Sequence, residues 1–252
     1  MIGARHVFTL LFLLTAHLGL YAERLPYWMI PLRDAIYGQS LTADEVRPLY
    51  LEASAAAWRH TSGVDRYLSL SHAECLMGRA FFFEGRNREA SAHFREGARL
   101  AEIAVRMAPC TRSWVLRAKN LDWLARTGSQ AFALSASVNV RRFAQNALEF
   151  DGRNATAQYL VAVYWLFAPR PFGNVRRGME MMKAVPENGD MEKCDLFNVA
   201  IAIGWAYVRQ GRYDEARPWI LKGLEVFPTN RSAAGLLEAS ENRGRRIRSR
   251  PR

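Results

Sequence analysis

Apolar residues recur every three to four positions along this chain from about residue 42 to about residue 240, which lays one buried stripe along each of a series of helices. Alternation of period two is nowhere sustained. The Asn188-Gly189 pair falls in a polar linker rather than between two apolar runs, so strands are not expected. Gly85, Pro109, Gly128, Asp151-Gly152, the stretch APRPFGN, Gly211 and Pro228 punctuate the stripes where helices stop and turn. The first long helix is predicted in LTADEVRPLYLEASAAAWRH, with Thr42 as its cap, Asp44 and Glu45 in its first turn, and an apolar period that continues past Pro48. It is expected to pair with the helix in VDRYLSLSHAECLMGRAFFF. The stretch RSAAGLLEASENR reads as a last helix that caps the series.

One segment, residues 197–228, carries the most regular pattern: FNVAIAIGWAYVRQGRYDEARPWILKGLEVFP. Gly204 and Ala216 are small residues where two helices can cross closely, Tyr207 follows at aromatic spacing, Gly211 suits the turn, and Pro228 blocks continuation. A second copy begins at Ser71, with Gly78 at the crossing, Phe81 at the aromatic place, Gly85 at the turn and Ala90 at the second small place. Weaker copies follow. Trp114, Ala118 and Leu121 open one that pairs with SASVNVRRFAQNALEF, and ATAQYLVAVYWLF opens another, with Ala162 at the crossing and APRPFGN in place of its turn.

These marks resemble the tetratricopeptide repeat (TPR) superfamily over roughly Ser71 to Asn242. The long second helix of the first copy and the APRPFGN insertion resemble, more distantly, exported spirochete-type TPR proteins similar to the T component of TRAP-type solute transporters. This chain departs from them in having no cysteine in its leader. The resemblance implies an all-α, TPR-like helical-repeat superhelix of about 3–5 helix pairs with a capping C-terminal helix, since such repeats stack to bury a shared core.

The ends of the chain read differently from its middle. Arg5, the apolar run VFTLLFLLTAHLGL of about 14 residues and Ala22 before Glu23 form the pattern of a signal peptide over residues 1–22, too short for a spanning helix. An uncleaved anchor is the alternative, and either places the chain in an exported, periplasmic setting. Residues 23–40, with Pro26, Pro31 and Gly38, read as an irregular lead-in, residues 41–243 as one helical domain, and residues 244–252 as a basic disordered tail.

Composition narrows the chemistry. The net charge of +11 draws on 35 basic residues, of which only Lys119, Lys183, Lys193 and Lys222 are lysine, a bias that nucleotide composition explains as readily as any ligand does. The tail offers peripheral contact with an acidic envelope surface. Nucleic acid is not the expected partner, because no aromatic-basic binding motif accompanies the charge. Cys75, Cys110 and Cys194 read as free thiols, with a Cys75–Cys110 bridge as the alternative. His72-Ala73-Glu74 with Pro109-Cys110 is similar to part of a zinc-deaminase signature, but Ser113 stands where the last thiolate is required. No nucleophile, phosphate-loop or metal motif is present, and no cofactor is expected. The chain reads as a non-enzyme.

In the TPR superfamily the concave surface comes from fixed positions of each first helix. Those positions imply a groove formed by Arg79, Phe82 and Phe83, by Tyr159, Val163, Leu166 and Phe167, and by Trp205, Val208 and Arg209, and that lining is mostly apolar. The expected function is protein–protein interaction, as in an accessory subunit of a solute-uptake system. Binding of a small hydrophobic solute in the groove is the alternative.

Overall fold

The computed structural model describes residues 25–169, 171–189 and 191–248. Within them the protein is all-α: a 3-10 turn at Tyr27–Met29 is followed by α1 (Ile30–Gly38), α2 (Ala43–His60), α3 (Gly63–Phe83), α4 (Asn87–Met107), α5 (Thr111–Thr127) and α6 (Gln130–Phe150). The chain continues through α7 (Ala155–Phe167), α8 (Val175–Asn188), α9 (Lys193–Arg209), α10 (Tyr213–Val226) and α11 (Arg231–Arg248). The predicted leader, residues 1–22, lies outside the described residues.

Consecutive helices pair as hairpins, α3 with α4, α5 with α6, α7 with α8 and α9 with α10, while α11 lies on α10. Between hairpins, α3 meets α5, α5 meets α7 and α7 meets α9. Thr42 caps α2 through a reciprocal pair, its own amide donating to Glu45 at 2.8 Å and the Glu45 amide donating to its hydroxyl at 3.3 Å.

Two hairpins share one turn, bond for bond. Gly85 and Gly211 adopt φ of 75° and 73°, the left-handed region that a glycine enters without strain. The amides of Arg86 and Arg212 each donate back 3.0 Å to the carbonyls of Phe81 and Tyr207, and those of Gly85 and Gly211 donate 3.0 Å to Phe82 and Val208. The match extends to side chains. Arg86 lies 4.4 Å over the Phe81 ring and pairs with Glu89 at 3.0 Å, while Arg212 lies 4.6 Å over Tyr207 and pairs with Glu215 at 2.8 Å. At the crossings, a Cβ added to Gly78 would lie 2.6 Å from Phe94, and one added to Gly204 would lie 2.6 Å from Ile220. Ala90, Ala162 and Ala216 are fully buried, and Tyr207 nearly so. Pro228 follows the end of α10.

Two boundaries differ from the sequence reading. The lead-in expected to be irregular contains α1, because Pro31 falls in the first helical turn, where its missing N–H costs no intrahelical bond. Met29, Leu32, Ile36 and Tyr37 then form a buried stripe at helical spacing. The tail expected to be disordered from residue 244 is helical to Arg248, as a continuation of α11; residues 249–252 lie outside the described residues.

The stripe of α1 reaches across to the far end of the chain. The Tyr37 ring stacks on Phe227 at 5.0 Å and meets Phe197 edge-on at 5.6 Å. Asn230 Nδ2 donates to the Tyr37 carbonyl at 2.6 Å, Thr229 Oγ1 to the Gly38 carbonyl at 2.9 Å, and Asn198 Nδ2 to the Tyr37 hydroxyl at 3.1 Å. Gln39, held at φ 53°, accepts from the amide and hydroxyl of Ser232 at 2.9 and 3.0 Å. One hydrophobic core therefore contains residues of α1 to α4 together with Phe197, Phe227 and Ala233.

Candidate functional site: a chamber walled by alternate helices

With α1 joining the first and last hairpins, the inward faces of α3, α5, α7 and α9 surround a chamber of about 1180 Å³. Of the predicted groove residues, Arg79, Phe83, Tyr159, Val163, Leu166, Phe167, Trp205 and Arg209 line it. Phe82 and Val208 do not. Each points into the packing between helices, Phe82 edge-on to Trp123 at 5.4 Å and Val208 against the core of α7 to α10.

The wall from α5 was not predicted. It supplies Lys119, Asp122, Trp123 and Arg126, and the start of α6 adds Gln130 and Leu134. The lining is mostly apolar, and this wall adds charge to it: Arg79, Lys119, Arg126 and Arg209 face Asp122 as the single acid among the lining residues. Asp122 is engaged, accepting from Arg126 Nη2 at 2.8 Å one helical turn along α5.

Arg79 is the unusual member. It is only 3% exposed, and its guanidinium carbon lies 4.0 Å from the centre of the Tyr37 ring, 4.7 Å from that of Trp123 and 5.8 Å from that of Phe83. Among the described residues no carboxylate forms an ion pair with it, and its Nε has no hydrogen-bond partner. Ring faces recover part of the cost of desolvating a cation, about 2 kcal/mol when the pair is dry, and a buried charge without a counter-ion loses several.

Lys119 and Arg79 act on the same neighbours. His72 is held well below its ordinary value of 6.5, first by burial and then by Lys119, Arg112, Arg79 and Arg33. Burial pushes the Cys75 thiol up, and pushes that of Cys194 up to about 11, with Lys119 and Arg79 opposing the shift in both. Burial likewise raises Tyr159, on the adjoining wall from α7, to about 12, with Arg126 opposing. At neutral pH these groups are uncharged, so the cations dominate the field inside the chamber.

The zinc-like residues are not assembled. Glu74 turns to the other side of α3, where it accepts from the Tyr50 hydroxyl at 2.7 Å and contacts His93 Nδ1 at 2.6 Å. Cys110 caps α5 together with Ser113, whose hydroxyl donates to the Cys110 carbonyl at 2.8 Å. The three cysteines are free thiols, and among the described residues no group of three or more His, Cys, Asp or Glu could hold a metal ion. No described helix is long and apolar enough to cross a membrane. Comparison of the chain with family models and with curated proteins finds no match in either.

Proposed function

We propose that this chain is a non-catalytic binding protein of TPR-like architecture, in which four hairpins form a superhelix capped by α11 and the central chamber holds a small solute with an apolar body. The observation that carries this reading is the chamber itself: about 1180 Å³, walled by aromatic side chains from alternate helices. Its volume is somewhat above the usual range for small-molecule sites, which leaves room for a long body, and its mixture of rings with a few polar groups is the usual composition of such sites. The leader over residues 1–22 supports an exported, periplasmic setting. Intrinsic fluorescence tests the reading, because Trp123 and Trp205 both line the chamber. Titration with a medium-chain amphiphile should shift that emission saturably, and Phe167→Ala should weaken the response. A response identical in a Trp123→Phe, Trp205→Phe double variant would place the ligand elsewhere and end this reading.

A second reading, a protein-interaction role as accessory subunit of a solute-uptake system, is favoured by one outer surface. Trp58 is 59% exposed and Leu51 58%, on one face of α2 two turns apart. Such a patch is suited to a partner. Gentle crosslinking followed by affinity purification should recover a stable complex that Trp58→Ser disrupts.

A further inference from the structure

We propose that the chamber selects an organic anion, a single carboxylate on an apolar body, and that Arg79 with Lys119 forms its anchor. This rests on the chamber being the solute site. Arg79 and Lys119 line the chamber from adjacent walls, and neither forms an ion pair among the described residues. Lys119 and Trp123 stand one turn apart on the same face of α5, and the Trp123 ring lies 4.7 Å from the Arg79 guanidinium, so the two cations border one region of the wall.

The remaining charges are accounted for. Arg126 is neutralised by Asp122 at 2.8 Å, and Arg209 lies over Trp205 at 5.3 Å on an exposed stretch of α9. That leaves a buried guanidinium and a half-buried ammonium without an ion pair among the described residues, the one acid in the lining, Asp122, being bonded to Arg126. A cation as buried as Arg79 is stabilised most by an anion that comes in with the ligand. The planar guanidinium fork pairs best in its own plane with a planar carboxylate. The rings of Tyr37, Trp123 and Phe83, with centres 4.0, 4.7 and 5.8 Å from the guanidinium carbon, narrow the approach to it, which favours a flat head over a bulkier tetrahedral one. Beyond the head, Val163, Leu166, Phe167 and Trp205 offer an apolar surface for the body.

The test uses the full chain with decanoate, 1-decanol and decyl phosphate, each below its aggregation limit, by calorimetry or tryptophan emission. Wild type should bind decanoate roughly tenfold or more tightly than 1-decanol, the size expected for hydrogen bonds to a charged group. Arg79→Gln should abolish that preference, bringing the ratio of decanoate to 1-decanol affinity to about one. Lys119→Gln should reduce it several-fold. Circular dichroism establishes that Arg79→Gln folds; if it does not, Lys119→Gln decides, and an unchanged preference there overturns the proposal. Equal binding of decanoate and 1-decanol by wild type overturns the anchor and leaves the solute site standing. Tighter binding of decyl phosphate than of decanoate overturns the carboxylate assignment. No binding of any of the three overturns the anchor and the solute site together.

Discussion

His72 ties the charge inside the chamber to the stability of the chain. Its imidazole is disfavoured as a cation by burial and by Lys119, Arg112, Arg79 and Arg33, so its folded-state value lies well below 6.5. The unfolded chain takes up a proton there that the folded chain refuses, so stability is lost as pH falls through 6.5 toward the folded value, and nothing is gained above 6.5. Glu45, Glu89 and Glu96 are shifted below the ordinary 4.5, so the stability they contribute is lost only in more acid solution. The melting temperature should therefore drop between pH 7.5 and pH 5.0, and His72→Gln should flatten that drop. Parallel pH profiles for the two proteins would remove His72 from the account. At this scale the sequence is partly legible. Arg79 stands at a predicted groove position, but its lack of a counter-ion depends on what α1 and α5 bring beside it, which spacing along α3 does not encode.

Helix contacts here are decided by what faces each small residue. A Cβ added to Gly178 of α8 would lie 2.5 Å from the Leu166 amide nitrogen and 2.6 Å from its Cα, both backbone atoms of α7. At Gly204 the nearest atom is Cγ1 of Ile220, 2.6 Å away on a side chain that can turn. Urea denaturation should thus show Gly178→Ala losing roughly 3 kcal/mol and Gly204→Ala about 1, after a helix-propensity gain of up to about 1 in each. The reverse order would mean that α7 and α8 slide apart more easily than this packing implies. The crossings at Gly78 and Gly204 were readable because both copies keep their turn glycine, whereas the wall from α5 was missed although the same spacing reaches it. Counted from Thr111, the ninth, twelfth and thirteenth positions are Lys119, Asp122 and Trp123, all of which line the chamber. The Arg-x-x-Glu pairs 86–89 and 212–215 were a further unused sign of the repeat.

A row of helix hairpins ordinarily behaves as a one-dimensional stack, in which each unit depends on its neighbours and the ends fray first. The bonds from Tyr37, Gly38 and Gln39 to Asn198, Thr229, Asn230 and Ser232 change the arithmetic. They span as many as 193 residues of sequence, a long-range closure that Pro26 and Pro31 disguised as a loose lead-in. Opening either end then breaks contacts at the other, so terminal fraying and global unfolding become one event. Asn230→Ala, which removes a buried donor to the Tyr37 carbonyl and the cap on Ala233, should lower the melting temperature while keeping one transition. Removing residues 25–39 should broaden the transition or split it in two, with amide exchange in α9 to α11 rising before that in α3 and α4. A sharp single transition in the shortened chain would show the stack to be cooperative without its clasp. With the clasp in place, α1 works less as a lead-in than as the closing link that turns independent repeats into a single folding unit.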